Sequence, residues 1–166
     1  MTLALGIDPG TATTGYGLVR LTRDGELVAG QYGIISTPKD ATASARLEML
    51  YDQLKVLLKQ HQPDTAAVEK LFFARNVTTA ITVGQARGIV LLAAAKAGVP
   101  VVEYSPSEIK HAVAGYGKAG KTQMQEMVRI VLGLAAVPEP DDAADALAIA
   151  LCHGQTAPFL ARTGNP

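Results

Sequence analysis

Four acidic residues stand where an acid is out of place. Asp8 ends the apolar run Leu3-Ala4-Leu5-Gly6-Ile7, and Pro9-Gly10 stops that run at once. Glu69 ends a second apolar run, Thr65-Ala66-Ala67-Val68. Asp142 and Asp145 lie three apart in a stretch rich in Ala, hence on one face of a helix. Acids are disfavoured in strands, and an unpaired carboxylate is costly to bury. Taken alone, Asp8 has two readings: it starts the Pro-Gly turn, or it is a functional acid. The three further acids can meet it. Carboxylates converging without His or Cys suit hard divalent cations, Mg²⁺ or Mn²⁺. Two such ions about 3.5–4 Å apart activate a water and stabilise the leaving oxygen in phosphodiester hydrolysis. The nucleophile is then water, which fits the lack of a G-x-S-x-G or Walker A sequence.

The elements that must position these acids follow from periodicity. Strands are expected at residues 3–8, 14–21 and 26–36, joined as an antiparallel meander through the Asp24-Gly25 turn. Gly15 and Gly17 in the second strand let something approach its backbone closely. Apolar residues at Leu47, Leu50, Tyr51, Leu54, Leu57 and Leu58 predict a helix over 43–61. A fourth strand (65–69), a helix over 78–97 and a fifth strand (99–103) come next. Gly84 and Gly88 give the 78–97 helix a small-residue face, which can rest on the sheet of the same subunit or on a dimer partner. Ser105-Pro106-Ser107-Glu108 opens a helix with a capping box, and residues 115–121 form a basic, glycine-rich loop. Thr122 is expected to cap a helix closed by Gly133, and Asp141 to cap a last helix over 142–153 ended by Gly154. Crossovers through helices imply parallel pairing. The expected fold is α/β, a mixed five-stranded sheet with helices on both faces. One domain spans 1–154, with a flexible tail from 155 to 166.

Charge is distributed unevenly. Net charge is zero, yet residues 70–129 carry eight Lys/Arg against three acids, and both flanks are net acidic. A basic middle between acidic flanks suits a protein that clamps a polyanion beside a carboxylate cluster. Solvated helix faces would give the same count. The single cysteine, Cys152, excludes an internal disulfide and reads as a buried apolar residue. No apolar run is long enough to span a membrane and no signal peptide is evident, so the expected compartment is the cytoplasm.

Gly6-Ile7-Asp8-Pro9-Gly10, Val68-Glu69-Lys70-Leu71-Phe72-Phe73, Gly84-Gln85-Ala86-Arg87-Gly88 and Asp142-Ala143-Ala144-Asp145-Ala146-Leu147-Ala148 closely resemble the bacterial RuvC Holliday-junction resolvases. The motifs come in that family's order and span about residues 3–153. The resemblance implies a ribonuclease H-like fold. It also implies a homodimer that nicks opposing strands of four-way DNA junctions with Mg²⁺ in recombination and repair, leaving 5′-phosphate and 3′-hydroxyl ends. By position it puts catalytic, metal-binding acids at Asp8, Glu69, Asp142 and Asp145, a junction-contacting aromatic at Phe72, and basic contacts at Lys110 and Lys121. Lys118 and Arg75 join these as candidate DNA contacts from the basic middle. Cooperation with a branch-migration motor is implied by the resemblance alone. Alternative readings are a catalytically silent junction-binding module, an actin-like ATPase or sugar-kinase lobe suggested by the Asp8-Pro9-Gly10-Thr11 turn, and cleavage of RNA in hybrids.

Overall fold

The computed structural model describes the backbone of residues 1–70 and 77–163, and the side chains of 1–70 and 80–156. Its elements are β1 (Thr2–Asp8), β2 (Thr13–Leu21), β3 (Leu27–Ser36), α1 (Ala43–His61), β4 (Thr65–Glu69), α2 (Val77–Lys96), β5 (Val101–Tyr104), α3 (Pro106–Ala114), α4 (Lys121–Val131) and α5 (Asp141–Thr163). The sheet order is β3-β2-β1-β4-β5. β1–β2 and β2–β3 pair antiparallel, and β1–β4 and β4–β5 pair parallel. The expected mixed sheet is therefore present.

β1 occupies the middle of the sheet. Ala4, Leu5, Gly6 and Ile7 are all buried, because both faces of a central strand are covered and both must be apolar. One face packs on α1 and α2 through Leu5, Ile7, Leu54, Val68 and Val90. The other packs on α3, α4 and α5 through Val19, Ala67, Ile109, Val128 and Leu147. β3, an edge strand, has half of its residues exposed.

Local signals set most boundaries. Thr42 caps α1 by accepting from the Ala45 N–H at 3.3 Å. Ser105 and Glu108 form the expected capping box of α3, with Pro106 at its first turn. Gly115 and Gly133, at φ +82° and +63°, end α3 and α4 in the left-handed conformation that favours glycine.

Two expectations are corrected, and a third is narrowed. The N-cap of α4 is Gly120, which makes no side-chain cap, so Thr122 does not cap it. α5 does not end at Gly154 but continues to Thr163. Gly154 is there for packing: a Cβ on it would lie 2.7 Å from Leu27 Cδ2, so the missing side chain lets β3 approach. Gly88 is exposed, and a Cβ there would meet nothing within 4 Å, so it does not rest on the subunit's own sheet, and of its two readings the contact with a partner stays open. Among the described residues no helix is long and apolar enough to cross a membrane.

Candidate active site

Two parallel strand ends bring the first two acids together. In the β1–β4 register Ile7 stands beside Val68, so the next residue on each strand is Asp8 and Glu69. Ligands gather at the carboxyl ends of such strands. Asp8 does not close the Pro-Gly turn. The Thr14 hydroxyl does, donating to the Gly10 carbonyl at 2.6 Å and accepting from its N–H at 3.2 Å. Asp8 is thereby freed from the turn-forming role that the sequence left open.

The first turn of α5 adds the other two. Gly15 stands opposite Asp8 on β2, and a Cβ on Gly15 would overlap the Asp142 carbonyl. Likewise a Cβ on Gly6 would overlap the Ala146 carbonyl. What approaches the glycines of β1 and β2 is thus α5 itself, whose small residues Ala143 and Ala146 are fully buried. Asp142 and Asp145 are carried to the sheet end by this contact.

A cavity of about 290 Å³ opens there. Asp8, Glu69, Asp145, Lys110 and Lys121 line its polar side, and Ile109, Met124 and Ile149 its apolar side. Asp142 does not line it, yet its charge acts on Asp8 and Asp145. Burial, then the charges of Asp145, Asp142 and Glu69, push the Asp8 carboxyl up to about 7. Burial and Asp145 raise Glu69, while Lys110 pulls it down. Burial also raises Asp145, against the opposing pull of Lys121. The site therefore holds more negative charge than its two lysines offset.

Such a donor set, all carboxylate and short of compensating charge, fits a hard divalent cation. Among the described residues no group of three acids, His or Cys is spaced to hold an ion as it stands. Mutual repulsion keeps carboxylates apart, and a bound cation removes the reason for that separation.

The remaining candidates divide. Lys110 and Lys121 reach the cavity as expected. Lys118 is exposed and is not among the residues lining the cavity. Phe72 and Arg75 lie outside the described residues. Asp141 is not the helix cap expected of it. The Pro140 carbonyl accepts from the Ala143 and Ala144 N–H groups, and the Asp141 carboxylate accepts from Lys121 at 2.7 Å and Gln125 at 2.9 Å.

Sequence reasoning missed His153. It is 2% exposed; its Nδ1 lies 2.8 Å from the Tyr104 hydroxyl and its Nε2 3.1 Å from the Thr65 hydroxyl. Burial drives its pKa down to about 4, so it is neutral and ties α5 to the start of β4 and the end of β5. The available signal was a lone imidazole in the apolar Ala/Leu/Ile run of α5, eight residues after Asp145. Arg87, in the Gly84–Gly88 motif, pairs with Glu103 of β5 and so anchors α2 to the sheet. Cys152 is buried and free, as read from the sequence.

Known proteins are similar to this chain over most of their length. A curated crossover junction endodeoxyribonuclease RuvC of Chloroflexus aggregans is 60% identical over 97% of this chain and 98% of its own. That of Roseiflexus sp. is 53% identical over 97% of this chain and 95% of its own. The structure of Thermus thermophilus RuvC in complex with a Holliday junction substrate superposes with a TM-score of 0.88 at 38% identity. That match covers 99% of this chain and 97% of the other. The yeast mitochondrial Holliday junction resolvase Ydc2, at 16% identity and a TM-score of 0.70, shares the fold. The family model for crossover junction endodeoxyribonuclease RuvC matches residues 4–153, and the chain belongs to that family.

Proposed function

We propose that this protein is a divalent-metal-dependent endonuclease that resolves four-way DNA junctions by paired, symmetric nicks. The observation that carries the reading is the convergence of Asp8, Glu69, Asp142 and Asp145 at one sheet end, where burial and mutual repulsion raise Asp8 to about 7. Asp8, Glu69, Asp142 and Asp145 would hold the metal, Mg²⁺ in the first instance with Mn²⁺ as substitute. Held there, two ions would supply an activated water and stabilise the leaving 3′ oxygen, which would give 5′-phosphate and 3′-hydroxyl ends. Lys110 and Lys121 bind backbone phosphate at the cavity rim. Lys118, exposed outside the cavity lining, and Arg75 add contacts to phosphate, and Phe72 offers a ring to unstacked bases.

Each chain carries one such site, so two nicks call for two chains related by a two-fold axis. The exposed face of α2 suits that contact. Ile81 and Leu92 are 56% and 48% exposed. With the open Gly88 between them, they fall on one helical face by spacing. A junction substrate supports action in the cytoplasm, in recombination and repair, with a branch-migration motor as the partner that the family resemblance implies.

The test is cleavage of a synthetic junction by purified protein with Mg²⁺, beside a linear duplex and an RNA–DNA hybrid. Paired nicks in the junction alone are expected, and Asp8→Asn should bind the junction without cutting it. Binding without cleavage by the wild type would mark a junction-binding module instead. Full cleavage by Asp8→Asn would remove Asp8 from the mechanism.

A further inference from the structure

Asp141 is a fifth acid beside the four, and its surroundings differ from theirs. Its side chain is 64% exposed, whereas Asp8, Glu69 and Asp145 are raised chiefly by burial. Both of its oxygens are taken by α4. Oδ2 accepts from Lys121 Nζ at 2.7 Å, and Oδ1 accepts from Gln125 Nε2 at 2.9 Å. Lys121 and Gln125 are four apart, one turn of the same helix face, so Asp141 straddles that turn.

The same Lys121 ammonium stands 4.0 Å from Asp145 Oδ2, and its charge counteracts the rise of Asp8 and Asp145. Lys121 is the first residue of α4, directly after Gly120, which caps the helix with no side chain. Among the described residues, only Asp141 and Asp145 hold the ammonium at the end of this flexible four-carbon stem. An exposed ion pair adds little stability, and an extra carboxylate at a site for a polyanion opposes binding. Holding a cation in place accounts for both facts.

We propose that Asp141 is a positioning residue. Bound to Lys121 and Gln125, it holds the Lys121 ammonium beside Asp145, over the mouth of the carboxylate cavity, and yields it to an incoming DNA phosphate. The inference rests on the junction-endonuclease reading for its substrate. Asp141 and the phosphate compete for one ammonium. Loss of Asp141 therefore tightens binding of the junction while it slows cleavage of what is bound, because the ammonium is no longer held at the cavity.

The experiment is a double-mutant cycle of Asp141→Ala and Lys121→Gln in the full chain, with Asp141→Glu as the conservative rescue. Junction affinity is measured in EDTA, where no cleavage occurs, and single-turnover cleavage in Mg²⁺. Mn²⁺ affinity is measured directly on the DNA-free protein. Asp141→Ala should bind the junction about two- to fivefold more tightly, the range of an exposed ion pair, and cleave bound junction several-fold more slowly. In the Lys121→Gln background Asp141→Ala should leave cleavage unchanged and tighten binding less than about twofold, the relief of its own repulsion, and Asp141→Glu in the wild-type background should keep both quantities near wild type. Equal effects of Asp141→Ala in both backgrounds would overturn the proposal. So would a tenfold loss of Mn²⁺ affinity in Asp141→Ala, which would make Asp141 a metal ligand. If the wild type cuts no junction, the functional reading fails, yet the coupling in EDTA still decides whether Asp141 governs Lys121.

Discussion

Removing the negative charge of Asp8 should stabilise the metal-free protein even as it abolishes cleavage. The Asp8 carboxyl moves from 3.8 to about 7 in the folded chain. Between those values the folded state holds a proton that the unfolded state has released. Stability is thus fully present below pH 3.8 and is lost as pH rises through 7. At about 1.4 kcal/mol per pH unit, the ionised group costs the fold up to about 4 kcal/mol at pH 8. That figure is a ceiling, because coupled carboxyls share their protons. Asn keeps the shape of Asp8 and removes the charge. In EDTA at pH 8, urea denaturation should show Asp8→Asn more stable than wild type by about 2–4 kcal/mol. At pH 5 the gain should shrink to about 1–2 kcal/mol, since only the part of the penalty between pH 3.8 and 5 applies. Saturating Mg²⁺ should close most of the gap, because a ligand at 100 times its dissociation constant stabilises by about 2.7 kcal/mol and the variant has lost a ligand for it. A variant less stable than wild type in EDTA at pH 8, or a gap that does not change between pH 5 and 8, would refute the account of an electrostatically strained site awaiting a cation.

Three other outcomes are expected. His153 is held neutral with a pKa near 4 against an ordinary 6.5, so the unfolded chain binds the extra proton as pH falls from 6.5 to 4. Stability should drop over that window by up to about 3 kcal/mol. Denaturation of Asp8→Asn with and without His153→Gln isolates this from the opposite trend of the acids, and an unchanged pH slope would count against it. Gly15→Ala drives a methyl into the Asp142 carbonyl; it should destabilise by about 1–3 kcal/mol and, by shifting the α5 acids, cut cleavage about 100-fold. Wild-type cleavage by Gly15→Ala would show that the Gly15–Asp142 contact does not set the site. Leu92→Glu places a charge on the exposed α2 face, 48% exposed in one chain. Sedimentation should then show monomers that bind a junction weakly and do not cut it in pairs, whereas an intact dimer would move the interface elsewhere.

The sequence alone determined the strands, the helices and the acids, because each depends on neighbours in the chain. Period-two and period-3.6 patterns bounded the ten described elements within a few residues, except for the C-terminal end of α5, which runs ten residues beyond the expected stop. Pro9-Gly10 and the Ala-rich helix made Asp8 and Asp145 conspicuous. Local pattern misled wherever a residue's task lay across the fold. Gly154 has the look of a helix stop, but it clears space for Leu27. Asp141 has the look of a cap, but its oxygens belong to Lys121 and Gln125, 20 and 16 residues earlier in the chain. His153 carried no motif, because its partners Tyr104 and Thr65 are 49 and 88 residues distant. Tertiary structure decided that β1 and β4 run side by side, so that Asp8 and Glu69 end together, and that α5 crosses Gly15, so that Asp142 and Asp145 join them. Chain order names the charged groups; only packing sets how closely they approach and how little water reaches them, and those two quantities determine what the acids can hold.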